Sequence, residues 1–165
     1  VLVNNAGIGS FSKLDEIKVS DFEEVFSTNV YGLTMMTQEV VKFFKTQQFG
    51  TIINIGSTAS TNGFASGSVY CASKHAVEGF TKAMAIELGR HNIRVNTICP
   101  TFILTDMTKD TFAEPEKRIW IENKIKLGRV GKVEDIMGAV VYLASEASSL
   151  VTGSSLLVDG GWTAG

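Results

Sequence analysis

The chain has 165 residues, of which 44% are hydrophobic and 19% charged, and its formal net charge at pH 7 is -2. This composition is typical of one globular domain, and the absence of a block of basic residues excludes a nucleic-acid-binding protein of the usual basic kind. No apolar run is long enough to span a membrane, and Val1-Leu2-Val3 lacks the charged start of a signal peptide, so we expect a cytoplasmic protein without membrane partners.

The cysteines and histidines are too few and too scattered for a metal site. Cys71 and Cys99 match neither a metal-binding spacing nor a secreted disulfide framework, and we expect both to be reduced and mostly buried. His75 and His91 form no cluster of ligands. The sequence therefore predicts no metal.

The chain opens on the short apolar run Val1-Leu2-Val3, which ends at Asn4-Asn5-Ala6-Gly7. This pattern predicts a buried parallel strand that breaks into a loop at its carboxyl end, where α/β proteins bind ligands. A plain turn of small residues is the open alternative. The first residue is not methionine and already lies within a strand, so we expect a fragment of a longer protein.

Residues 20 to 48 follow as one predicted helix, with Ser20 and Asp21 expected at its start. Asn29 is an unusual polar residue among its apolar positions. It either faces solvent or has a specific function.

A second strand, Thr51 to Ile55, leads through Gly56, where we expect a sharp backbone turn, to Ser57. Ser68 is the expected cap of the next helix, which runs to about His91. Tyr70 and Lys74 are four residues apart and so lie on one helix face, where an ammonium group would lower the pKa of the phenol. Ser57 would reach the same edge of the sheet, so the sequence predicts a catalytic site. By itself, the Tyr-Lys spacing is common by chance.

The opposite face of this helix has a stripe of small residues, which are Ala72, Ala76, Gly79 and Ala83. Small side chains permit close approach of another helix. The neighbour is either an element of the same chain or a second subunit.

A third strand, Ile93 to Ile98, ends at Pro100, and residues 106 to about 127 follow without a clean period. We interpret this segment as a substrate lid, with an amphipathic surface helix as the alternative. A helix from Val133 to Ala144 and a strand from Ser154 to Val158 complete the chain. Strands that alternate with helices predict an α/β fold, a Rossmann-like doubly wound parallel sheet with right-handed crossovers and helices on both faces.

Taken together, these motifs resemble the classical type of the short-chain dehydrogenase/reductase family over essentially the whole chain, up to Leu157-Val158-Asp159-Gly160-Gly161. The glycine-rich G-x-x-x-G-x-G loop that holds the cofactor's pyrophosphate is absent from these residues. The resemblance thus implies the C-terminal portion of the domain only, with four strands. Residues 1–165 would form a single partial NAD(P)-binding domain.

The resemblance implies a cofactor, NAD or NADP, and assigns residues to it. Asn5, Ala6 and Gly7 would lie against its adenosine side, and Pro100, Ile103 and Thr105 would lie at the nicotinamide, where Ile103 and Thr105 would hold the carboxamide. Thr101 departs from the family's usual Pro-Gly pair, so the backbone there must suit a β-branched residue.

The resemblance also implies a reaction, the interconversion of a secondary alcohol and a ketone by hydride transfer. Tyr70 would be the acid/base, Ser57 would polarise the substrate oxygen, Lys74 would act on Tyr70 and bind the nicotinamide ribose, and Asn29 would bend its helix and hold a water of the proton relay. The small-residue stripe would pair with a second subunit, as in a homodimer or homotetramer.

The substrate class stays open between 3-oxoacyl or steroid-like compounds and sugars or polyols. Two alternative functions also remain. One is a catalytically inactive fragment or oligomer-forming partner that lacks the pyrophosphate site. The other is an epimerase or dehydratase of the extended relatives, although those chains normally continue into a substrate domain.

Overall fold

The computed structural model describes all residues from 1 to 165 and contains one parallel sheet of four strands in the order β1-β2-β3-β4. The strands are β1 (Leu2–Asn4), β2 (Gly50–Ile55), β3 (Ile93–Pro100) and β4 (Ser155–Val158). The helices are α1 (Val19–Phe26), α2 (Leu33–Gln47), α3 (Ser68–Leu88), α4 (Lys109–Ala113), α5 (Pro115–Lys124) and α6 (Val133–Ala144). The predicted Rossmann-like α/β fold is confirmed.

Helices cover both faces of the sheet. Successive strand residues point to opposite sides, and the central strands have apolar residues on both. Ile52 of β2 packs on one side with apolar residues of α2 and α3, whereas Ile53 packs on the other side with Leu143 of α6. All three side chains are at most 1% exposed. The two central strands, buried on both faces, therefore form the centre of the core.

One expectation about the connections is wrong. The strands follow one another in a single direction across the sheet, yet α2 and α3 lie on one face and α6 lies on the other. Two connections that each lead to the next strand in the same direction have opposite hands when they pass over opposite faces of the sheet. The β3 to β4 connection therefore differs in hand from the first two, and the three crossovers are not all right-handed.

The helix predicted over residues 20 to 48 is interrupted. A π-helical turn from Ser27 to Gly32 separates α1 from α2, and Asn29 lies buried within it. Such turns are frequent at functional sites. The expected caps are also wrong, because the residues preceding α1 and α3 are Lys18 and Gly67, and neither makes a capping hydrogen bond through its side chain.

The irregular segment over residues 106 to 127 contains the short helices α4 and α5. The two helices pack around a small separate core. Its buried residues are Phe112, Ile121, Ile125 and Val130, and the partly buried Phe102 and Trp162 pack against it. None of the helices in the chain is both long and apolar enough to cross a membrane.

Leu88→Ala should destabilise the fold by about 2–5 kcal/mol, because Leu88 is fully buried between α3 and the sheet and its truncation leaves a cavity. Chemical denaturation measures the change. Leu150→Ala is the matched control, since Leu150 is 96% exposed, and its free energy of unfolding should change by less than about 0.5 kcal/mol. Equal losses in both variants would contradict this assignment of the core.

Candidate active site

The strand ends that carry the predicted site are joined by a buried chain of polar side chains. Asn4 Nδ2 donates to Asn54 Oδ1 over 2.8 Å, and Asn54 Nδ2 donates to Thr81 Oγ1 over 2.8 Å. Thr97 Oγ1 donates to Thr81 Oγ1 over 2.9 Å. These bonds connect β1, β2 and β3 to the middle of α3, so the carboxyl ends of the strands and the first turns of α3 hold fixed relative positions.

Ser57 follows directly after β2 in a tight turn. Its hydroxyl accepts a hydrogen bond from the Ala59 N–H over 3.1 Å, and its own N–H donates to Ser60 Oγ over 3.1 Å. Gly56 is required here for space, because a Cβ would lie 2.6 Å from Thr97 Cγ2. The sequence predicted that Gly56 is needed for a sharp backbone turn, but its φ is not positive, so space and not backbone freedom is the reason. The turn directs Ser57 into the cleft above the sheet.

Tyr70 and Lys74 lie one turn apart in α3 on its buried face. The ammonium nitrogen of Lys74 is 5.7 Å from the centroid of the Tyr70 ring and donates a 2.8 Å hydrogen bond to the Ile55 carbonyl at the end of β2. Phe11 and Phe64 pack on the tyrosine, with ring centroids 5.6 and 6.5 Å from its own and 6.0 Å from each other. The phenol is therefore part of a cluster of three aromatic rings beside a buried cation.

Burial shifts the ionisation of both groups. The pKa of Lys74 falls to about 8, because removal from water disfavours the ammonium form. Burial likewise raises the pKa of Tyr70 above its usual value, and the nearby Ser57 hydroxyl opposes this shift. The expected lowering of the tyrosine pKa by Lys74 is therefore not found. Desolvation of the phenolate is the largest cause of the shift, and the Lys74 nitrogen bonds to the Ile55 carbonyl and not to the phenol.

Asn29 does not reach the cleft and instead ties together the segments around it. Its Oδ1 accepts from the Ile8 N–H over 2.9 Å, while its Nδ2 donates to the Ile8 carbonyl over 2.9 Å and to Ser73 Oγ over 3.0 Å. Both amide hydrogens are used. A water molecule could only donate to the remaining lone pair of Oδ1 or to a backbone carbonyl of the π-helical turn.

A cleft of about 1860 Å³ lies at the carboxyl ends of the strands and brings the other predicted residues together. Ser57, Tyr70 and Lys74 line it together with both predicted cofactor segments. These are Asn5, Ala6 and Gly7 after β1, and Pro100 at the end of β3 with Ile103 and Thr105 beyond it. Gly7 lies so close to the buried groups that a Cβ would come 3.5 Å from the Lys74 nitrogen and 3.4 Å from Asn29 Oδ1.

The structure adds residues that the sequence did not single out. Phe11 packs on Tyr70, and Trp162, far along the chain, lines the same cleft. Thr101 has an unstrained backbone, and its Oγ1 is buried at the cleft without a hydrogen-bond partner in the protein. The sequence contained one indication of this hydroxyl, because Thr101 stands where the family resemblance predicts glycine.

The chain is similar to known proteins in sequence and in fold. Residues 1–163 match a family model described as enoyl-(acyl carrier protein) reductase. An L-xylulose reductase from Caenorhabditis elegans is 38% identical over 163 residues. The chain belongs to the short-chain dehydrogenase/reductase family. A 3-oxoacyl-[acyl-carrier-protein] reductase from Thermotoga maritima, another relative, is 42% identical over 162 residues.

A solved short-chain dehydrogenase/reductase shares the fold closely. The gluconate 5-dehydrogenase from Burkholderia cenocepacia, solved in complex with NADP and tartrate, superposes with a TM-score of 0.98 at 33% identity, covering 99% of this chain and 64% of that protein. The match to the L-xylulose reductase likewise covers 98% of this chain and 65% of the relative. The chain thus spans slightly less than two thirds of these proteins.

Lys74 should lose its proton at about pH 8, whereas exposed lysines keep theirs to about pH 10.4. The measurement is an NMR titration of protein labelled with ¹⁵N in its lysine side chains. One Nζ signal should titrate near pH 8, and it should be missing from the spectrum of Lys74→Met. Titration of every lysine signal above pH 10 would contradict the assigned burial.

Proposed function

We propose that the chain carries the catalytic half of an NAD(P)-dependent oxidoreductase that interconverts a secondary alcohol and a ketone. The observation that carries this proposal is the convergence of Ser57, Tyr70 and Lys74 in one cleft at the strand ends. The curated and solved relatives are oxidoreductases by name, which supports the same reaction class.

The residues present fit the nicotinamide half of a dinucleotide. The buried Thr101 hydroxyl lacks a protein partner, and the glycine at position 7 leaves the Lys74 ammonium accessible from the cleft. Asn5, Ala6, Gly7, Pro100, Ile103 and Thr105 would hold NAD or NADP together with Tyr70 and Lys74. The bound nicotinamide supplies or accepts the hydride.

Tyr70 supplies the proton in the reductive direction. Its raised pKa keeps the phenol protonated at neutral pH, so it can donate to the oxygen of a carbonyl as negative charge develops there. The Ser57 hydroxyl would donate a second hydrogen bond to that oxygen. The Lys74 ammonium would stabilise the phenolate that remains, and in the oxidative direction the same groups work in reverse.

Asn29 would act as a positioning residue. Its amide joins the loop after β1 to Ser73, and these segments flank Lys74. Its role in a proton relay would depend on a water bound by Oδ1 or by the backbone of the π-helical turn.

The proposal also covers the assembly of subunits through the exposed surface of α3. Ala72, Gly79 and Ala83 are exposed on α3 and Ala76 is half-buried, while Phe43 of α2 and Ile86 of α3 are 72% and 84% exposed. Burial of this surface against a second copy would produce a homodimer or homotetramer.

We place the enzyme in the cytoplasm and assign residues 106 to 127 as the substrate lid of a single partial domain.

The alternative is a catalytically inactive chain. No glycine-rich pyrophosphate loop occurs in these 165 residues, so the 165-residue chain by itself would bind a dinucleotide weakly and turn over little substrate.

In the full-length protein, Tyr70→Phe should lower kcat by about 10²–10⁴-fold, because the transferable proton is lost while the ring still packs on Phe11 and Phe64. The affinity for the dinucleotide should change little. Steady-state kinetics and fluorescence titration measure the two quantities. Phe64→Leu serves as a control for packing in the cleft. Undiminished turnover by Tyr70→Phe would refute the assignment.

Gly79→Trp should reduce the assembly to smaller species. A Cβ at Gly79 meets no atom within 4 Å in the monomer, and a tryptophan there would overpack a contact with a neighbouring subunit. Light scattering reports the mass of each species. Gly89→Trp, also in open space at the end of α3, is the control that should keep the native mass. An unchanged mass for Gly79→Trp would place the subunit interface elsewhere.

A further inference from the structure

The charges around the cleft are unbalanced. Lys74, Lys117, Lys124 and Lys126 line it, and Asp106 is the one acidic residue there. Lys117 already has a partner, because its nitrogen is 2.7 Å from Glu114 Oε1. Lys124 and Lys126 have no carboxylate within 4.0 Å. The lid thus brings two unneutralised cations to the edge of the site.

Lys124 is held by aromatic rings and not by an acid. Its nitrogen lies 4.9 Å from the centroid of the Trp120 ring and 5.7 Å from that of Trp162, and the two rings meet edge to face with centroids 5.9 Å apart. Ring faces attract a cation but do not cancel its charge. The two tryptophans therefore orient Lys124 and leave its ammonium free to bind an anion.

The lining of the cleft also carries polar, uncharged side chains beside apolar ones such as Phe11 and Phe64. Ser57, Thr61 and Asn62 are among the polar groups. They can exchange hydrogen bonds with several substrate hydroxyls, whereas a purely apolar acyl chain would offer them none.

We propose that the substrate of this site is a polyhydroxy keto acid or its hydroxy acid, and that Lys124 determines this specificity by binding the carboxylate. The inference rests on the proposed oxidoreductase function and adds the substrate class. The carbonyl lies at Ser57 and Tyr70, the hydroxyls lie against Thr61 and Asn62, and the carboxylate lies at Lys124.

The test compares the full-length wild-type protein with Lys124→Met, which keeps the aliphatic stem between the tryptophans but removes the charge. The assayed substrates are 5-ketogluconate, the uncharged ketose fructose and an uncharged 3-oxoacyl thioester. For the keto acid, kcat/KM should fall roughly tenfold or more, mainly through KM, as expected for a lost hydrogen bond to a charged group. Activity on the uncharged substrates should stay within about twofold, since they make no bond to the removed charge.

Two further variants separate charge from packing. Lys124→Arg should retain the preference for the keto acid. Lys117→Met should leave it unchanged, because Lys117 is already paired with Glu114. In the wild type, KM for the keto acid should rise with ionic strength, and this dependence should be weaker in Lys124→Met.

Other outcomes would overturn the inference. Equal losses on charged and uncharged substrates would mean that Lys124 only supports the lid. A weaker affinity for NADPH in Lys124→Met, with an unchanged KM for the keto acid, would place Lys124 against the cofactor's phosphates. Preference for the acyl thioester in the wild type would assign the cleft to acyl substrates.

Failure of the proposed function itself has a different signature. If the wild type reduces no carbonyl compound, calorimetric titration with gluconate in the presence of NADP still measures recognition of the anion. Binding that is lost in Lys124→Met would support the carboxylate site without catalysis. Equal binding to both proteins would refute the site.

Discussion

The hydrogen-bonded chain from Asn4 through Asn54 and Thr81 to Thr97 is the constraint on which the site depends. Asn54, Thr81 and Thr97 are fully buried, and an unpaired polar group at such a depth is costly, so each strand has one register that satisfies all of them. The chain thereby fixes β1, β2 and β3 against α3. Because the strands are parallel, their loops meet at one edge, and Tyr70 and Lys74 in the first turns of α3 face the same edge.

Asn29 extends this constraint into the loop after β1. The π-helical turn between α1 and α2 places its amide where it bonds to both backbone groups of Ile8 and to Ser73. Gly7 is thereby held against Lys74. The lysine in turn bonds to the end of β2. Three segments that are distant in sequence are thus connected to one buried ammonium group, and that group lies next to the phenol of Tyr70.

Burial determines the chemistry of both groups. It lowers the pKa of Lys74 to about 8 and raises that of Tyr70. A protonated tyrosine suits the reductive direction, in which the phenol donates a proton. Residues 106 to 127 contrast with this buried centre, because the Lys124 side chain is exposed and its ammonium lies on the rings of Trp120 and Trp162. The structure thus holds one buried cation beside Tyr70 and one exposed cation at the edge of the same cleft.

The sequence by itself determined the features that depend on local spacing. The apolar runs predicted the strands, the four-residue interval placed Tyr70 and Lys74 on one helix face, and the spacing of the small residues placed them together on the opposite face of α3. The roles given to Asn29, Ile103 and Thr105 came from the family resemblance and not from the pattern. At Asn29, where the resemblance implied a bent helix, the structure has a π-helical turn. The tertiary structure alone decided the hand of the last crossover, the direction of the Tyr70 pKa shift and the meeting of Trp162 with Lys124. Helix and strand periodicity is set by covalent geometry, which the sequence displays directly. Desolvation and contacts between distant segments depend on how the whole chain packs, and no local pattern records that packing.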